Sequence, residues 1–288
     1  MRPGWPRRID PALFTDASNP DSPVQIRYLG TAGLVIEAEQ RTLVLDPFVT
    51  RMGLFRTAFR PLIPDLAAIR RHIPRADDVL VGHAHHDHVL DAPDLCRMTG
   101  ARFIGSSDAC NVARAAGLSE TMLVETKGRE DIVSGTGLIR GLPSRHGKVI
   151  FGRVLNPGNI PEPPPWPPRL RDLKHGLVLN WWVQLGGVRI VHIDSADYFD
   201  EELEGLGADV VCLCTVGRQF RPGYVRGVVE RLRPKIIMPC HWDWFFTPYD
   251  AHPRVLPGID LPGFMDEIRG YGVQPVLLPF DGTMGVDI

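Results

Sequence analysis

The chain has 288 residues, 44% of them apolar and 23% charged, with a mean hydropathy near zero and a formal net charge of −2. That length buries a substantial core, and α/β domains of ~200–250 residues or somewhat more are ordinary, so one domain is the starting expectation. The near-balanced charge excludes a general attraction to nucleic acid or to anionic membrane.

Residues 1–8 carry positive charge without a following apolar run long enough for a secretory signal, and no later segment reaches the ~20 apolar residues of a membrane span. Cys96, Cys110, Cys212, Cys214 and Cys240 are odd in number and lack the paired spacing of a zinc ribbon. This argues against a disulfide framework and for a reducing, cytoplasmic setting. A lead-in rich in Pro, Asp and Ser makes residues 1–22 an expected N-terminal extension to a single domain over 23–288. Segments 24–28, 33–37 and 42–45 alternate or run apolar between glycine and polar turns, which predicts a β-meander. Asp46, before Pro47, closes the meander at the mouth of the sheet, where it fits either an Asp-Pro turn or a place behind a site. Residues 50–63 read as an irregular surface flap and 65–72 as a short helix.

Four of the ten histidines and one carboxylate then fall within six residues, His83-Ala84-His85-His86-Asp87-His88. Imidazole and carboxylate donors at this density suit zinc, and iron or manganese with other geometries. The apolar run 79–82 predicts a buried strand in front of the motif and 89–98 a helix behind it. In an extended segment alternate side chains share a face, so His83 and His85 address one metal, while Asp87 and His88 address a second position after the turn. A surface histidine cluster is the plain alternative; the internal position, the buried strand and the Asp at the fifth place argue against it.

A strand at 101–105, a helix at 107–116 and a return to short strands from 122 continue the β-then-α order of an α/β fold. His146 lies just beyond a strand at 137–142; alone it is as well explained by a structural or exposed histidine. Residues 156–168 hold seven prolines in thirteen positions and exclude helix and central strand. They read as a stiff loop inserted at about 150–175. Strands resume at 177–185 and 188–193, the latter ending at Asp194, followed by an acidic helix at 199–206, a strand at 209–214, a helix at 224–232 and a strand at 235–241 ending in His241. Strands ending in Asp (Asp46, Asp194) and in a Pro-then-His pattern (His146, His241) suggest two similar halves. A helix at 263–270 and a strand at 273–278 close the chain.

His83, His85, Asp87, His88, His146, Asp194 and His241 thus make a set in the order HxHxDH, H, D, H, and with it the chain resembles the metallo-β-lactamase superfamily from Ile26-Arg27-Tyr28-Leu29-Gly30 to beyond His241. The resemblance implies an αββα sandwich of two mixed β-sheets flanked by helices, with two divalent ions, zinc first and manganese or iron as alternatives. It implies His83, His85 and His146 on one ion, Asp87, His88 and His241 on the other, and Asp194 between them. Leu45-Asp46-Pro47-Phe48 and Pro239-Cys240-His241-Trp242 are similar to the branch containing ascorbate-6-phosphate lactonase and N-acylphosphatidylethanolamine phospholipase D. Ile193-Asp194-Ser195 departs from the usual Gly-Asp-Thr but keeps a hydroxyl beside the carboxylate.

The expected activity is hydrolysis of a small-molecule lactone, ester or phosphodiester by a metal-bridging water or hydroxide, with Asp87 orienting that water or taking its proton. An N-acyl phospholipid phosphodiesterase is the near alternative, and an iron-bearing redox or sensor protein the alternative of another class. Arg145, with Lys148, Arg218 and Arg221, is the candidate for an anionic substrate group; Trp242, with the aromatic run to Phe246, is the candidate for an apolar pocket, Trp166 and Ile160 join that run as an apolar entrance for a lipid, and Trp166 with the proline faces of the loop is the expected roof. His86 reads as exposed or supporting, and His192 as either a supporting donor or a core histidine. The expected partner is a small molecule, with no nucleic acid, no stable membrane insertion, and homo-oligomerisation open.

Overall fold

The structure is a computed structural model and describes residues 5–287; residues 1–4 of the expected extension, and residue 288, lie outside the described part. Two seven-stranded mixed sheets carry the fold. The first runs Thr283–Val286, Val24–Gly30, Gly33–Ala38, Arg41–Leu45, Asp78–Val81, Arg102–Gly105, Leu123–Glu125. The second runs Gln274–Pro275, Ile236–Cys240, Val210–Cys214, Val188–Ile193, Val178–Leu185, Gly137–Ser144, Asp131–Ser134. Each sheet is antiparallel on one side and parallel on the other, and the change falls at Arg41–Leu45 in the first and Val188–Ile193 in the second. These strands lead to Asp46 and Asp194, so the two halves do echo one another at the carboxylates. For the histidines the echo fails: His146 follows an antiparallel strand and His241 a parallel one.

Strand residues alternate between two apolar layers, as the period of two requires. Leu43, Leu45 and Leu80 point between the sheets with Ile139, Leu179 and Trp181. Val44, Val79 and Val81 point outward, under Ile69, Leu95 and Val112 of the helices Leu66–His72, Ala92–Thr99 and Ser107–Ala115. The helices Tyr224–Leu232 and Leu261–Gly270 bring Val225, Val228, Phe264 and Ile268 to the second sheet. This is the layered αββα arrangement expected from the sequence.

Several boundaries differ for local reasons. The helix expected at 89–98 is two pieces, His86–Val89 and Ala92–Thr99, because Pro93 has no N–H to donate to Val89 O; between them the Asp91 carboxylate accepts the Val49 and Thr50 N–H groups. The helix expected at 199–206 is a single turn, Asp200–Leu203, ended by Gly205 and Gly207 at positive φ. The flap at 50–63 contains the helix Leu54–Phe59, of which only Thr57 is buried. The lead-in runs against the body: Arg7–Arg8 pairs with Arg254–Val255, and the Thr15 N–H donates to Leu277 O. The Pro-rich loop is pinned by the helix Ser107–Ala115, with Ile160 N–H donating to Asp108 and Asn111 donating to Ile160 O.

One buried ion pair holds the flap to the end of the second sheet. Arg51 Nη1 lies 2.5 Å from Asp243 Oδ2, the two side chains 1% and 0% exposed, and the guanidinium stacks over Phe280 at 4.8 Å. The other Asp243 oxygen accepts the Thr31 N–H at 2.6 Å and the Tyr28 hydroxyl at 3.1 Å. Removing one member leaves an uncompensated buried charge. Asp243→Ala is therefore expected to cost about 3–5 kcal/mol by urea denaturation, and the double change Arg51→Met, Asp243→Leu to cost clearly less.

Candidate metal centre

The strand Asp78–Val81 leaves the sheet through Gly82 and delivers the histidine motif to the edge where the two sheets meet. Gly82 has no room for a side chain, since a Cβ there would stand 2.2 Å from Asp194 Oδ2. Its N–H instead donates to Asp46 Oδ1 at 2.7 Å. His83 and His85 lie on the extended stretch, and His85 caps the short helix His86–Val89, which turns Asp87 and His88 inward.

The seven sequence-predicted residues converge. Donor atoms within 4.8 Å of one another form three groups: His83, His85 and His146; Asp87, His88 and His241; and His83, His88 and Asp194. Asp194 shares its group with one histidine of each of the other two. His83 Nδ1 is 2.6 Å from Asp194 Oδ2, His83 Nε2 is 3.1 Å from His85 Nδ1, and His241 Nε2 is 3.3 Å from Asp87 Oδ2. Asp46 holds the arrangement from behind, with Oδ2 3.0 Å from His88 Nδ1. Asp46, Thr31 and His241 all adopt positive φ, at 43°, 53° and 54°, and His241 N–H donates to Thr31 O. Such conformations cost energy and persist where the surroundings over-determine them.

Burial, then the neighbouring His146, pulls His85 down to about 3, and burial likewise pulls His83 and His88 well below the usual imidazole range. These rings are neutral at pH 7, the form that coordinates metal. Burial alone would raise Asp87, but the imidazoles of His86, His88 and His241 outweigh it and hold the carboxyl well below its ordinary value. Burial and the adjacent Asp194 push Asp46 well up. Among the described residues, Asp194 Oδ1 and His241 Nδ1 are buried without any hydrogen-bond partner. Imidazole nitrogens face one another, and carboxylates crowd without enough protons to join them. The donor set fits divalent cations, which satisfy those lone pairs and offset the carboxylate charge.

Other expectations change. Trp242 is wholly buried among Tyr28, Phe14 and Phe280, so it cannot line a solvent-reached pocket; the aromatic wall of the site is Phe245, 5.6 Å from the His241 ring centroid. His86 is not exposed but packs edge-on against Phe48 at 5.6 Å. Arg145 stands beside His146 but reaches Asp197 at 3.8 Å and stacks over Phe199 at 4.7 Å. His192 is fully buried with its Nδ1 3.9 Å from Asp46 Oδ2. One neighbour escaped the sequence reading altogether. His175 stacks on His146 at 5.7 Å and meets His85 edge-on at 5.9 Å, and its carbonyl accepts the Ala84 N–H. It follows the Pro-rich loop with no periodic signal; its being a histidine was the only cue.

The two-sheet sandwich and its donor cluster define a class, and the comparisons agree with it. Residues 25–241 match the family model described as a beta-lactamase superfamily domain, and the chain belongs to that family. It is similar to a UPF0173 metal-dependent hydrolase of Symbiobacterium thermophilum, 29% identical over 265 residues that cover 88% of this chain and 96% of the relative. In fold it is similar to Igni18, a metallo hydrolase of Ignicoccus hospitalis, with a TM-score of 0.60 and 16% identity over 92% of this chain and 99% of the other. It is also similar in fold to CmlA, a diiron beta-hydroxylase of Streptomyces venezuelae, with a TM-score of 0.59 and 14% identity over 93% of this chain and 55% of the other. The chain is a metal-dependent hydrolase. No helix among the described residues is long and apolar enough to cross a membrane.

The neutral, buried His192 yields a test on the metal-free protein. Burial pulls it down to about 4 in the fold, against about 6.5 in an unfolded chain, so between these values the unfolded chain binds the extra proton. Its contribution to stability is complete above about 6.5 and is lost as the pH falls toward 4. Denaturation at pH 7 and pH 5 should show wild type losing about 2 kcal/mol more than His192→Gln.

Proposed function

We propose that the chain hydrolyses a small-molecule lactone, ester or phosphodiester with two divalent metal ions, zinc first among them. His83, His85 and His146 would hold one ion, Asp87, His88 and His241 the other, and Asp194 would lie between. The observation that carries this reading is the overlap of the three donor groups, since His83 and His88 each belong to two of them. When bound, such ions supply Lewis acidity toward a carbonyl or phosphoryl oxygen and a nucleophilic water at neutral pH.

The chain's own residues do the rest. Asp87, 3.3 Å from His241 Nε2 and beside His88, would orient the attacking water or take its proton. Asp46 fixes the orientation of His88 through Nδ1, and Asp194 that of His83. Phe245, Phe48 and the ring of His86 pack beside the second group and keep bulk water from that side. His175, with Nδ1 2.5 Å from Gly176 O, leaves Nε2 free to meet a polar group of the substrate. Leu45-Asp46-Pro47-Phe48 and Pro239-Cys240-His241-Trp242 favour the lactonase and phospholipase D branch as the source of substrate chemistry. Hydrolase-named relatives similar over most of both chains weigh more than the fold likeness to a diiron hydroxylase, so the redox reading ranks below.

Elemental analysis of protein purified without chelator is expected to give about two metal ions per chain, and chelation to lower the melting temperature. On a panel of lactones, phosphodiesters and N-acyl phospholipids, Asp87→Asn should lower kcat by about 10²–10⁴. No bound metal, together with no turnover of any substrate class, overturns the proposal.

A further inference from the structure

The helix Leu54–Phe59, in the flap that follows the first sheet's meander, buries only Thr57. Leu54, Phe55 and Phe59 are 48%, 81% and 68% exposed, and Ile63 and Leu66 just beyond are 53% and 49% exposed. Helices this short do not stand alone in water, and apolar residues normally hold them to a core. Here the apolar side points outward: at 100° per residue Leu54, Ala58, Phe55 and Phe59 span one sector, and Phe55 and Phe59 stack with ring centroids 6.4 Å apart. Arg56 borders that sector beside Phe59, Arg60 is the extended residue that ends the helix, and the buried Thr57 lies on the side facing the body.

Among the described residues the guanidinium groups of Arg56, Arg60 and Arg169 make no ion pair, and that of Arg169 donates to Phe59 O. The adjacent acids are occupied: Asp65 caps the helix Leu66–His72, and Asp172 accepts the Arg169 N–H. The surface is tied to the loop that reaches the site. Leu62 N–H donates to Pro168 O of the Pro-rich loop, and Asn156 at the start of that loop, which donates to Leu170 O and Leu173 O, has its carbonyl 3.4 Å from His85 Nε2.

We propose that the helix Leu54–Phe59 and the turn through Leu66 form a reversible docking surface for an anionic lipid bilayer. Phe55, Phe59 and Leu54 enter the boundary between headgroups and acyl chains, and Arg56, Arg60 and Arg169 meet lipid phosphates at headgroup level. A second copy of the chain fits less well, because a twofold contact would bring the same unpartnered arginines against one another. The net charge of −2 is no obstacle, since the attraction is local to this patch.

The test is co-sedimentation of the full metal-loaded chain with vesicles of phosphatidylcholine, with and without phosphatidylglycerol. Binding is expected only to the anionic vesicles, weakening as salt is raised. Phe55→Ser with Phe59→Ser, and separately Arg56→Gln with Arg60→Gln, should each weaken it roughly tenfold or more. Melting temperatures should not move, because these side chains are exposed. No binding to anionic vesicles, or binding that either double variant leaves intact, overturns the proposal. So does a dimer, seen by light scattering, that the Phe55→Ser, Phe59→Ser variant separates.

Discussion

Asp46 and Asp194, both wholly buried, end equivalent strands of opposite sheets, and the site is built to make their burial tolerable. A carboxylate removed from water costs several kcal/mol unless donors or cations replace the lost hydration. Asp46 receives the Gly82 N–H and faces His88; Asp194 faces His83, and one of its oxygens is left without a hydrogen-bond partner. Each histidine brought in for one carboxylate also reaches the other donor groups. The glycine at 82 follows from the same constraint, since any side chain there would displace Asp194.

How much of this was legible in the sequence depends on how local the signal was. The motif from His83 to His88 compresses four donors into six residues, and Asp194, His146 and His241 each follow an apolar strand, so the donor set could be assembled from strand ends. The meander and the parallel strands were readable from the alternation of Leu43, Val44 and Leu45 and the continuous apolar run at Val79–Val81. Partners far apart in the chain were not. Arg51 and Asp243 are 192 residues apart, and neither stands in a pattern that announces a pair.

Trp242 shows where adjacency in sequence misleads. It follows a residue of the site directly, but His241 sits in the left-handed region and the chain turns there, which sends the next side chain into the core between Tyr28 and Phe280. The flap failed for the opposite reason. Leu54 to Phe59 has helical spacing, but its apolar side faces outward, so the rule that apolar residues point to a core gave no reason to draw a helix there.

Each of the three donor groups takes members from both sheets: His83 and His85 with His146, Asp87 and His88 with His241, and His83 and His88 with Asp194. A chain severed between Glu125 and Asp131, where the path crosses from one sheet to the other, would leave two fragments, neither owning a complete group. The cluster therefore works as a gauge of alignment: the two sheets can slide or tilt only by pulling every group apart together. Correct docking of the halves and completion of the three groups become the same event, and a misregistered sandwich, however well its apolar faces were buried, would keep the motif His83–His88 but no complete group.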